Sequence, residues 1–553
     1  LVATATLELD IDMGAIDLVC QVESPKSVAR GLQRVGRAGH LFKSVSKGRL
    51  LPKMRSDLLE MAVVTRLMHQ GDVAPIHIPR NCLDILAQQI VAIVSLKPWK
   101  LDELYQLSSG AYPYQDLPYD HFLGVVELLS GRYPSDAFRA LKPRISWDRV
   151  NSVLYPMPGS QRLAILSGGA IPDTGQYPCY LEDGHTKVGE LEEEFIYERR
   201  LGEVFVLGTN SWRIEQITHD RVIVSPAPGE PARTPFWKGE FMSRSVHLGQ
   251  KYGEYCRQLK AKIDQPDCLP WLIEQSDLDR DAAENVRQYL LDQRKACGEI
   301  PDDRTILIEG FTDEMGDLRV LIHSPYGGRL HLPWRLAILA QFRRTWKMEP
   351  ESWHSDIGIL FRFPAEKFDQ IVHTIRSVNS ENFEELVVDE LGNSFFFGIR
   401  FRHNANRAML IPRPRPGKRA PLWLQRIRSR DLLEIARQYP SFPIVMETYR
   451  ESMQDFFSIE ELRALLQQIE SNEIKIKIHR GAIPSPFASS LMFEFMAGYM
   501  YEYDEPKGGQ REDLLDRELL EQLLNPGAVP KLLDEAAIRD VELLVQEAVR
   551  LIS

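Results

Sequence analysis

The stretch that decides the fold is Leu32-Gln33-Arg34-Val35-Gly36-Arg37-Ala38-Gly39-His40. Its two arginines, Arg34 and Arg37, share one face if the segment is helical. A guanidinium group matches the oxygens of a phosphate with paired hydrogen bonds. The spacing therefore predicts two arginines that stabilise a phosphate during its transfer. The alternative is an ordinary basic turn on the edge of a domain, because single Arg-x-x-Arg pairs are common.

This run, together with the preceding Ala3-Thr4-Ala5-Thr6-Leu7-Glu8-Leu9-Asp10-Ile11-Asp12-Met13-Gly14, resembles motifs V and VI of the superfamily two helicases. In that family both motifs lie in the second of two RecA-like domains and complete an ATP site. The resemblance implies that Gln33, Arg34 and Arg37 act on the γ-phosphate and the attacking water. It further implies that Asp12, Gly14 and Gly36 contact the nucleotide and that Thr4 and Thr6 contact the nucleic acid backbone. Asp10 stands where family members more often carry Gly.

The parts of an ATP site that bind the phosphates and the metal are absent from the sequence. There is no G-x-x-x-x-G-K-[ST] loop, whose backbone N–H groups and lysine cradle the β- and γ-phosphates. The acidic runs at 389–392 and 534–537 are interpreted as decoys for an acidic box. Because Leu1 falls inside a motif, we expect a C-terminal fragment that lacks the first RecA-like domain. Such a fragment binds ATP and Mg²⁺ only with the missing part and hydrolyses no ATP alone.

Composition predicts a large multidomain protein of the cytoplasm. The 553 residues, 44% of them hydrophobic, suffice for roughly three to four domains. The six cysteines form no CxxC pair, and the thirteen histidines show no metal-ligand spacing, so we expect no structural metal. No run approaches the roughly 18 apolar residues of a membrane span. No sequence feature indicates which protein partners the chain has.

Basic residues are concentrated in one window although the net charge is −11. Residues 400–430 contain no Asp or Glu and ten cations, namely Arg400, Arg402, Arg407, Arg413, Arg415, Lys418, Arg419, Arg426, Arg428 and Arg430. Such a window is typical of a phosphate-binding surface. Trp423 and four prolines within it suit a loop that follows a strand while a ring stacks on bases. The alternative is a solvated face, or counter-ions for acidic C-terminal helices.

Periodicity divides the chain into helical and β-rich parts. Helices are predicted at 56–67, from Asn81, at 101–107 and at 122–129, followed by a strand at 144–147, which together indicate a winged helix. Short runs broken by Gly and Pro, at 163–166, 177–181, 203–207, 212–217 and 221–225, indicate a small barrel or sandwich. A helical stretch at 253–295 and a hairpin at 305–322 follow.

The predicted fold class is therefore multidomain α/β. We expect the end of the second RecA-like domain at 1–72, a winged helix at 73–150, a barrel-like β-rich part at 151–250 and a mixed α+β remainder at 251–553.

A second resemblance covers nearly the whole chain. The segments that carry it are 168–175 (GGAIPDTG), 188–195 (VGELEEEF), 226–229 (PAPG), 235–240 (PFWKGE), 401–407 (FRHNANR), 421–426 (PLWLQR) and 485–488 (SPFA). Together they resemble the Lhr family of large helicase-related proteins, although Ala170 stands where members often have Thr. The resemblance implies 3′-to-5′ translocation on single-stranded DNA, displacement of a DNA or RNA strand from a duplex, and a role in DNA repair.

Three further side chains outside the basic window, Trp237, Lys238 and Ile171, are candidates for contact with the strand. Trp237, beside Lys238, can stack on a base, and its alternative is a core tryptophan with a paired N–H. Ile171 is a candidate apolar wedge, and its alternative is a buried turn residue. Trp212 is expected in the core. The acidic run 190–194 is expected to be a solvated strand end or an ion-pair partner.

Two other classes of function stay open. The chain can be a binding or recruitment module that contributes little to unwinding. More remotely, it can be a DNA glycosylase, which needs base flipping and a carboxylate in a closely fitting pocket. No such carboxylate is identified in the sequence. The helicase of the Lhr family is preferred, with the ligase-associated helicases as a sibling group of similar architecture.

Overall fold

A computed structural model describes residues 16–39, 45–132, 141–171, 176–192, 196, 201–207, 210–218, 221–228, 243–313, 316–364, 367–411, 422–439 and 441–502. The helices are α1 Val28–Val35, α2 Arg55–Gln70, α3 Leu83–Val94, α4 Leu101–Ser109, α5 Tyr119–Leu129, α6 Ser160–Ser167, α7 Val246–Lys262, α8 Cys268–Ser276, α9 Arg280–Cys297, α10 Gly328–Trp346, α11 Phe368–Arg376, α12 Phe383–Leu391, α13 Phe395–Arg407, α14 Leu422–Ala436, α15 Pro443–Arg450, α16 Ile459–Glu470 and α17 Pro486–Glu502. A π-helical turn, Glu451–Phe456, continues α15.

The strands are β1 Val19–Val22, β2 Gly48–Leu51, β3 Trp99–Lys100, β4 Ile145–Asp148, β5 Val153–Pro156, β6 Gln176–Leu181, β7 Lys187–Glu192, β8 Val204–Leu207, β9 Asn210–Ile217, β10 Val222–Pro226, β11 Thr305–Thr312, β12 Leu318–His323, β13 Glu351–Ser355, β14 Gly358–Phe363 and β15 Lys475–Arg480. Within the described residues they form sheets of order β1-β2, β3-β5-β4, β7-β6-β10-β9-β8 and β13-β14-β12-β11-β15.

The N-terminal part contains the helix predicted at 56–67, which extends from Arg55 to Gln70. Strands β1 and β2 pair in parallel, with Val19 opposite Gly48. Helix α1 packs so closely on α2 that a Cβ on Gly31 would lie 2.8 Å from the Met68 sulfur. The inner side of α2 then packs against α7, α8 and α9 in one hydrophobic core. The N-terminal part is therefore joined to helices about two hundred residues further along the chain.

Helices α3, α4 and α5 with the sheet β3-β5-β4 confirm the predicted winged helix. Helix α3 is apolar on most of its surface, with Leu86, Ile90 and Val94 buried. The core that these residues begin continues without a break into helices α10 to α16 and the sheet β13-β14-β12-β11-β15. The winged helix therefore shares its core with the last third of the described chain.

The middle sheet takes up four of the five predicted short strands. The prediction of a strand at 163–166 is wrong, because these residues lie in helix α6. Leu163 and Ala164 pack against the core while Ile165 is 77% exposed, so one side of a helix is buried. In the sheet itself, Trp212 packs against the apolar side and its indole N–H donates to the Leu207 carbonyl at 3.2 Å.

The central strands of the last sheet, β11, β12 and β14, are buried on both faces, whereas β15 at one edge is largely exposed. The predicted hairpin is present as β11 and β12, which pair in antiparallel fashion. Ile306 and Ile308 face the large core, whereas Phe311 and Leu321 face α17. The apolar run Ile306-Leu307-Ile308 is the sequence pattern that strands buried on both faces show.

Candidate nucleotide and nucleic-acid interface

The segment with Arg34 and Arg37 is a short helix followed by a tight turn. Helix α1 ends at Val35, and the backbone N–H of Arg37 donates to the Arg34 carbonyl at 3.1 Å. Gly39 adopts φ +69°, and a Cβ there would lie 2.9 Å from the Val45 carbonyl oxygen. Glycine is thus required where the turn closes on the next segment, which gives a structural reason for one glycine of the run.

Arg34 is anchored from the neighbouring strand. Its Nη1 donates to Oε1 of Gln21 on β1 at 2.8 Å. Gln33 is exposed, and Arg34 and Arg37 are half-buried. A guanidinium group that a neighbouring side chain orients in this way is the kind of group that stabilises a phosphate. Thr4, Thr6, Asp12 and Gly14 lie outside the described residues.

A buried charge cluster lies directly behind this segment, and we call Lys26, Glu60, Arg244 and Asp356 the N-terminal cluster. Arg244 is 1% exposed and Glu60 2%, and Nε of Arg244 donates to Oε2 of Glu60 at 3.0 Å. Lys26 Nζ lies 3.2 Å from Glu60 and 3.4 Å from Asp356. The cluster connects the loop before α1 with α2, with the start of α7 and with the β13–β14 turn.

The charges of the N-terminal cluster balance, and its carboxylates stay ionised. Burial opposes ionisation of Glu60, but Arg244 and Lys26 outweigh it and lower the pKa of this carboxyl. The same two cations hold the pKa of Asp356 well below its usual range, against the effect of burial. Asp356 also accepts hydrogen bonds from the backbone N–H of Arg244 at 2.9 Å and of Gly328 at 3.0 Å. Every element that meets here is therefore held by a charged hydrogen bond.

Ile171 is exposed at the end of a loop whose backbone is hydrogen-bonded to the rest of the protein. It follows α6 and the residues Gly168 to Ala170, and 85% of its surface is accessible. This contradicts the alternative of a buried turn residue. Gly169 adopts φ +116°, a conformation that side chains rarely allow. An apolar side chain presented in this way has no packing role in the described structure, so it is available to contact a ligand.

The backbone of this loop is attached to a second set of charges, and we call Asp84, Arg400, Arg407 and Glu451 the central cluster. Arg407 Nε donates to Oδ2 of Asp84 at 2.5 Å and Nη2 to Oε1 of Glu451 at 2.6 Å. Arg400 Nη2 donates to the same Glu451 oxygen at 2.6 Å. Nη1 of Arg407 lies 3.4 Å from the Ala170 carbonyl oxygen, toward which it donates.

The pKa values of the two carboxyl groups of the central cluster are shifted in opposite directions. Burial raises the pKa of Asp84, although Arg407 opposes the shift. Burial also acts on Glu451, but the hydrogen bonds and charges of Arg400 and Arg407 outweigh it and lower its pKa. Burial and the neighbouring arginines lower the pKa of His403 to about 3, so His403 is neutral. This histidine therefore supplies no cation for a phosphate.

The structure places the cations of the predicted basic window in different surroundings. Arg428 and Arg430 are exposed on α14, whereas the described cations of α13 are more buried. Arg402 is 4% exposed, and the side chain of Arg407 is 13% exposed within its ion pairs. The prediction that these two line an open phosphate surface is wrong, because both are largely buried, and Arg407 is turned towards Asp84 and Glu451. The remaining predicted strand contacts, Trp237, Lys238, Arg413, Arg415, Lys418, Arg419 and the side chain of Trp423, lie outside the described part.

Sequence reasoning missed Gln21, Asp84 and Gln88. Asp84 and Gln88 are four residues apart in the apolar run 83–94, so they share one face of α3, and both are buried. Two polar residues at this spacing in an apolar helix indicate a buried polar contact. The spacing of Asp84 and Gln88 could have been noticed in the sequence, but the sequence does not show that Arg407 is the partner of Asp84. Gln21 carries no signal.

Two further findings limit the chemistry. Among the described residues, no group of three His, Cys, Asp or Glu side chains is placed to hold a metal ion. A search of the same residues finds no helix with the length and apolar character that crossing a membrane requires. The acidic run predicted to be solvated is described only as far as Glu192, and within it Glu190 pairs with Lys187 at 2.7 Å on the surface.

Comparison with family models identifies two regions. Residues 66–234 match the winged helix domain of the large helicase-related proteins, and residues 300–488 match the DEAD/H associated family. The two regions share the central cluster between them. Asp84 lies in the first region, and Arg400, Arg407 and Glu451 lie in the second. The cluster is thus the junction between the two families' domains.

Curated relatives match over nearly the full chain. A "Lhr helicase/ probable uracil glycosylase" of Mycolicibacterium smegmatis is 44% identical over 99% of this chain and 36% of its own length. A "Lhr helicase/uracil glycosylase" of Escherichia coli is 42% identical over 98% and 35%. An "ATP-dependent helicase Lhr-Core" of Sulfolobus acidocaldarius is 30% identical over 95% and 59%. The chain thus spans between about a third and three fifths of these relatives.

A solved structure agrees with these matches. The helicase Lhr of Mycobacterium smegmatis, bound to ssDNA and AMP-PNP, superposes with a TM-score of 0.71 and 39% identity, over 88% of this chain and 58% of that one. The chain therefore belongs to the Lhr family of large helicase-related proteins and carries its winged helix and its DEAD/H associated region.

Proposed function

We propose that this chain is part of an ATP-dependent 3′-to-5′ DNA helicase that acts in DNA repair in the cytoplasm. In this proposal the chain supplies the arginine fingers of the ATP site and surfaces that hold single-stranded DNA. The observation that carries it is the exposed Ile171 on a fixed loop, in a chain whose structural neighbour was solved with ssDNA and AMP-PNP. The displaced strand belongs to a DNA–DNA or RNA–DNA duplex.

At the ATP site, Gln33, Arg34 and Arg37 act on the γ-phosphate and the attacking water. Mg²⁺ accompanies the nucleotide, and Asp12, Gly14 and Gly36 contact it. The hydrogen bond from Arg34 to Gln21 supports this role, because a guanidinium that is already oriented needs no rearrangement when charge develops on the phosphate. Arg34→Ala in the full-length protein is expected to lower kcat for ATP hydrolysis by about 10³-fold or more. Unchanged ATP hydrolysis would remove Arg34 from the site.

At the DNA, Ile171 packs against bases, and Trp237 and Trp423 stack on them. Arg413, Arg415, Lys418, Arg419 and Lys238 bind phosphates, and Thr4 and Thr6 contact the backbone. Arg402 and Arg407 are not among the proposed phosphate contacts, because the structure largely buries both. Phosphate contacts of this kind weaken with salt and ignore sequence, which suits a translocating enzyme.

The domain division 1–72, 73–150, 151–250 and 251–553 belongs to this proposal. So does closure of the middle sheet into a small barrel. Its support is the approach of the two edge strands, because a Cβ on Gly189 of β7 would lie 2.8 Å from a methyl group of Leu207 on β8.

The test uses two exposed isoleucines of the same region. Ile171→Ala is expected to weaken binding of a fluorescent single strand about ten-fold, since burying an isoleucine side chain against bases contributes about 1.5–3 kcal/mol when burial is complete. Ile165→Ala is the matched control, because Ile165 is 77% exposed on the nearby helix α6 and has no proposed contact. Equal affinities for the two variants would contradict the proposal.

The alternative functions differ in what the full-length protein does. Strand displacement by the full-length protein distinguishes a helicase from a recruitment module, which binds DNA without displacing a strand. Two relatives are also named uracil glycosylases, whereas the Lhr-Core relative that matches the same chain is named only a helicase. The activity that their names share is therefore helicase activity, and we prefer it for this chain.

A further inference from the structure

We infer that Gln88 is a positioning residue for the strand contact, because it fixes the backbone of the loop that ends in Ile171. This inference rests on the proposed contact between Ile171 and single-stranded DNA. It assigns a role to a side chain of the winged helix that does not touch the DNA itself.

The Gln88 amide pairs with both backbone groups of one loop residue. Its Nε2 donates to the Gly169 carbonyl at 3.1 Å, and its Oε1 accepts from the Gly169 N–H at 3.2 Å. The second N–H of Nε2 donates to the Arg407 carbonyl at 3.1 Å. Gln88 is 4% exposed, so the whole arrangement is shielded from water on its inner side. The amide thus joins the loop to α3 and α13 at once.

The loop needs such an attachment, because its own side chains do not anchor it. Gly169, Ala170 and Ile171 are all exposed, and Gly169 has φ +116°. A glycine loses more conformational freedom on ordering than any other residue. The described contacts that hold this loop are those from Gln88 to Gly169 and from Arg407 to Ala170. The position of Ile171 is therefore set by hydrogen bonds to two residues from distant parts of the chain.

The experiment that tests the attachment directly is amide hydrogen exchange of the loop in Gln88→Met, which keeps the volume of the side chain and removes its hydrogen bonds. Exchange in the peptide that covers 168–171 is expected to become about ten-fold faster. Gln89→Met is the matched control, because Gln89 is the next residue of α3 and is exposed. Gln88→Asn, which shortens the amide but keeps it polar, replaces Gln88→Met if the latter does not fold.

The second readout is single-strand affinity in a double-mutant cycle with Ile171→Ala. We expect Gln88→Met to weaken binding about five-fold in the parent chain and not at all in the Ile171→Ala background. A residue that merely stabilised the fold would have equal effects in both backgrounds. Equal effects, or unchanged exchange of the loop peptide, would overturn the inference.

The two readouts separate this inference from the proposed function. If Ile171→Ala leaves DNA binding unchanged, the contact proposed for Ile171 is wrong. The attachment by Gln88 is then decided by hydrogen exchange alone, where faster exchange supports it and unchanged exchange overturns it.

Discussion

The N-terminal cluster and the central cluster contain the same type of buried ion pair but differ in what they contact. Both join elements that are far apart in the sequence through buried arginine–carboxylate hydrogen bonds. In the N-terminal cluster, Arg244 is 1% exposed. In the central cluster, Arg407 reaches the Ala170 carbonyl of an exposed loop. The N-terminal cluster therefore lies wholly inside a junction, whereas the central cluster also contacts a loop on the surface.

This difference shows that a cation count in the sequence does not separate ligand-binding arginines from structural ones. Arg407 lies in a window free of acidic residues, yet its partners Asp84 and Glu451 come from other parts of the chain. A buried charge without its partner is costly, so each cluster is expected to respond strongly to the loss of one member. The predictions below test how far the two clusters differ.

The largest effect is expected at the N-terminal cluster. Glu60→Gln removes the carboxylate that neutralises Arg244, which is almost completely buried. The free energy of unfolding is expected to fall by about 3–5 kcal/mol, as for other broken buried ion pairs. Urea unfolding of the chain measures this. The control is Glu284→Gln in the exposed Arg280–Glu284 pair, where a change below about 0.5 kcal/mol is expected. Equal changes would show that the cluster is not a junction.

The next effect is expected at the central cluster and has two parts. Arg407→Met leaves Asp84 and Glu451 without their shared cation and is expected to lower the free energy of unfolding by about 1–3 kcal/mol. Single-strand affinity is expected to fall as well, because the bond to Ala170 is lost. Glu60→Gln, measured where it is still folded, is expected to keep its affinity. If Glu60→Gln lost single-strand affinity and Arg407→Met did not, the N-terminal cluster and not the central cluster would be the one coupled to DNA binding.

A pH dependence is expected beside the N-terminal cluster. Burial raises the pKa of Glu494 from 4.5 to about 7, and the charges of Asp356 and Glu60 add to this shift. The charge of Lys26 and a hydrogen bond with Ser355 oppose it. The folded chain thus binds more protons than the unfolded chain above pH 4.5. Glu494 therefore makes the free energy of unfolding decrease as pH rises from about 4.5 to 7.

Glu494→Gln is expected to remove this part of the slope and to be more stable than the parent above pH 7. Thermal unfolding of both chains between pH 5 and pH 8 measures it. Parallel pH profiles of the two chains would contradict the assignment.

The smallest effect is expected at Ala170, where family members often carry Thr. Ala170 is exposed and contributes its carbonyl, not its side chain, to the contact with Arg407. Ala170→Thr is therefore expected to change the free energy of unfolding by less than about 0.5 kcal/mol and single-strand affinity by less than about two-fold. A larger loss of affinity would mean that the side chain at this position matters to the loop.

The sequence predicted those elements whose periodicity is strong. The helices of the winged helix and the hairpin 305–322 appear where expected, because apolar residues recur on one face of each helix and run continuously in each strand. The strand expected at 163–166 is a helix, since four apolar residues fit both periods and the choice depends on packing by Leu163 and Ala164. Short apolar runs do not determine their own structure.

The candidate site was predicted only in part for a related reason. Ile171 is exposed as a strand contact requires, and Arg34 lies on a helix with a polar neighbour. Arg402 and Arg407 were misplaced, because burial of an arginine depends on carboxylates that the local sequence does not contain. Asp84 and Gln88 showed a polar spacing on α3, but their partners lie more than eighty residues away along the chain.

The shared core of the winged helix and the last third of the described chain has a consequence for synthesis. The backbone N–H of Leu83, at the start of α3, donates to Glu447 at 2.7 Å across 364 residues. A ribosome that adds ~5–20 residues each second needs roughly 20–70 s to make that stretch. During most of this interval Asp84 and the first turn of α3 lack their partners Arg407 and Glu447, although Gly169, a partner of Gln88, is already made. Part of the apolar surface of α3 therefore stays uncovered until the last third of the described chain is made.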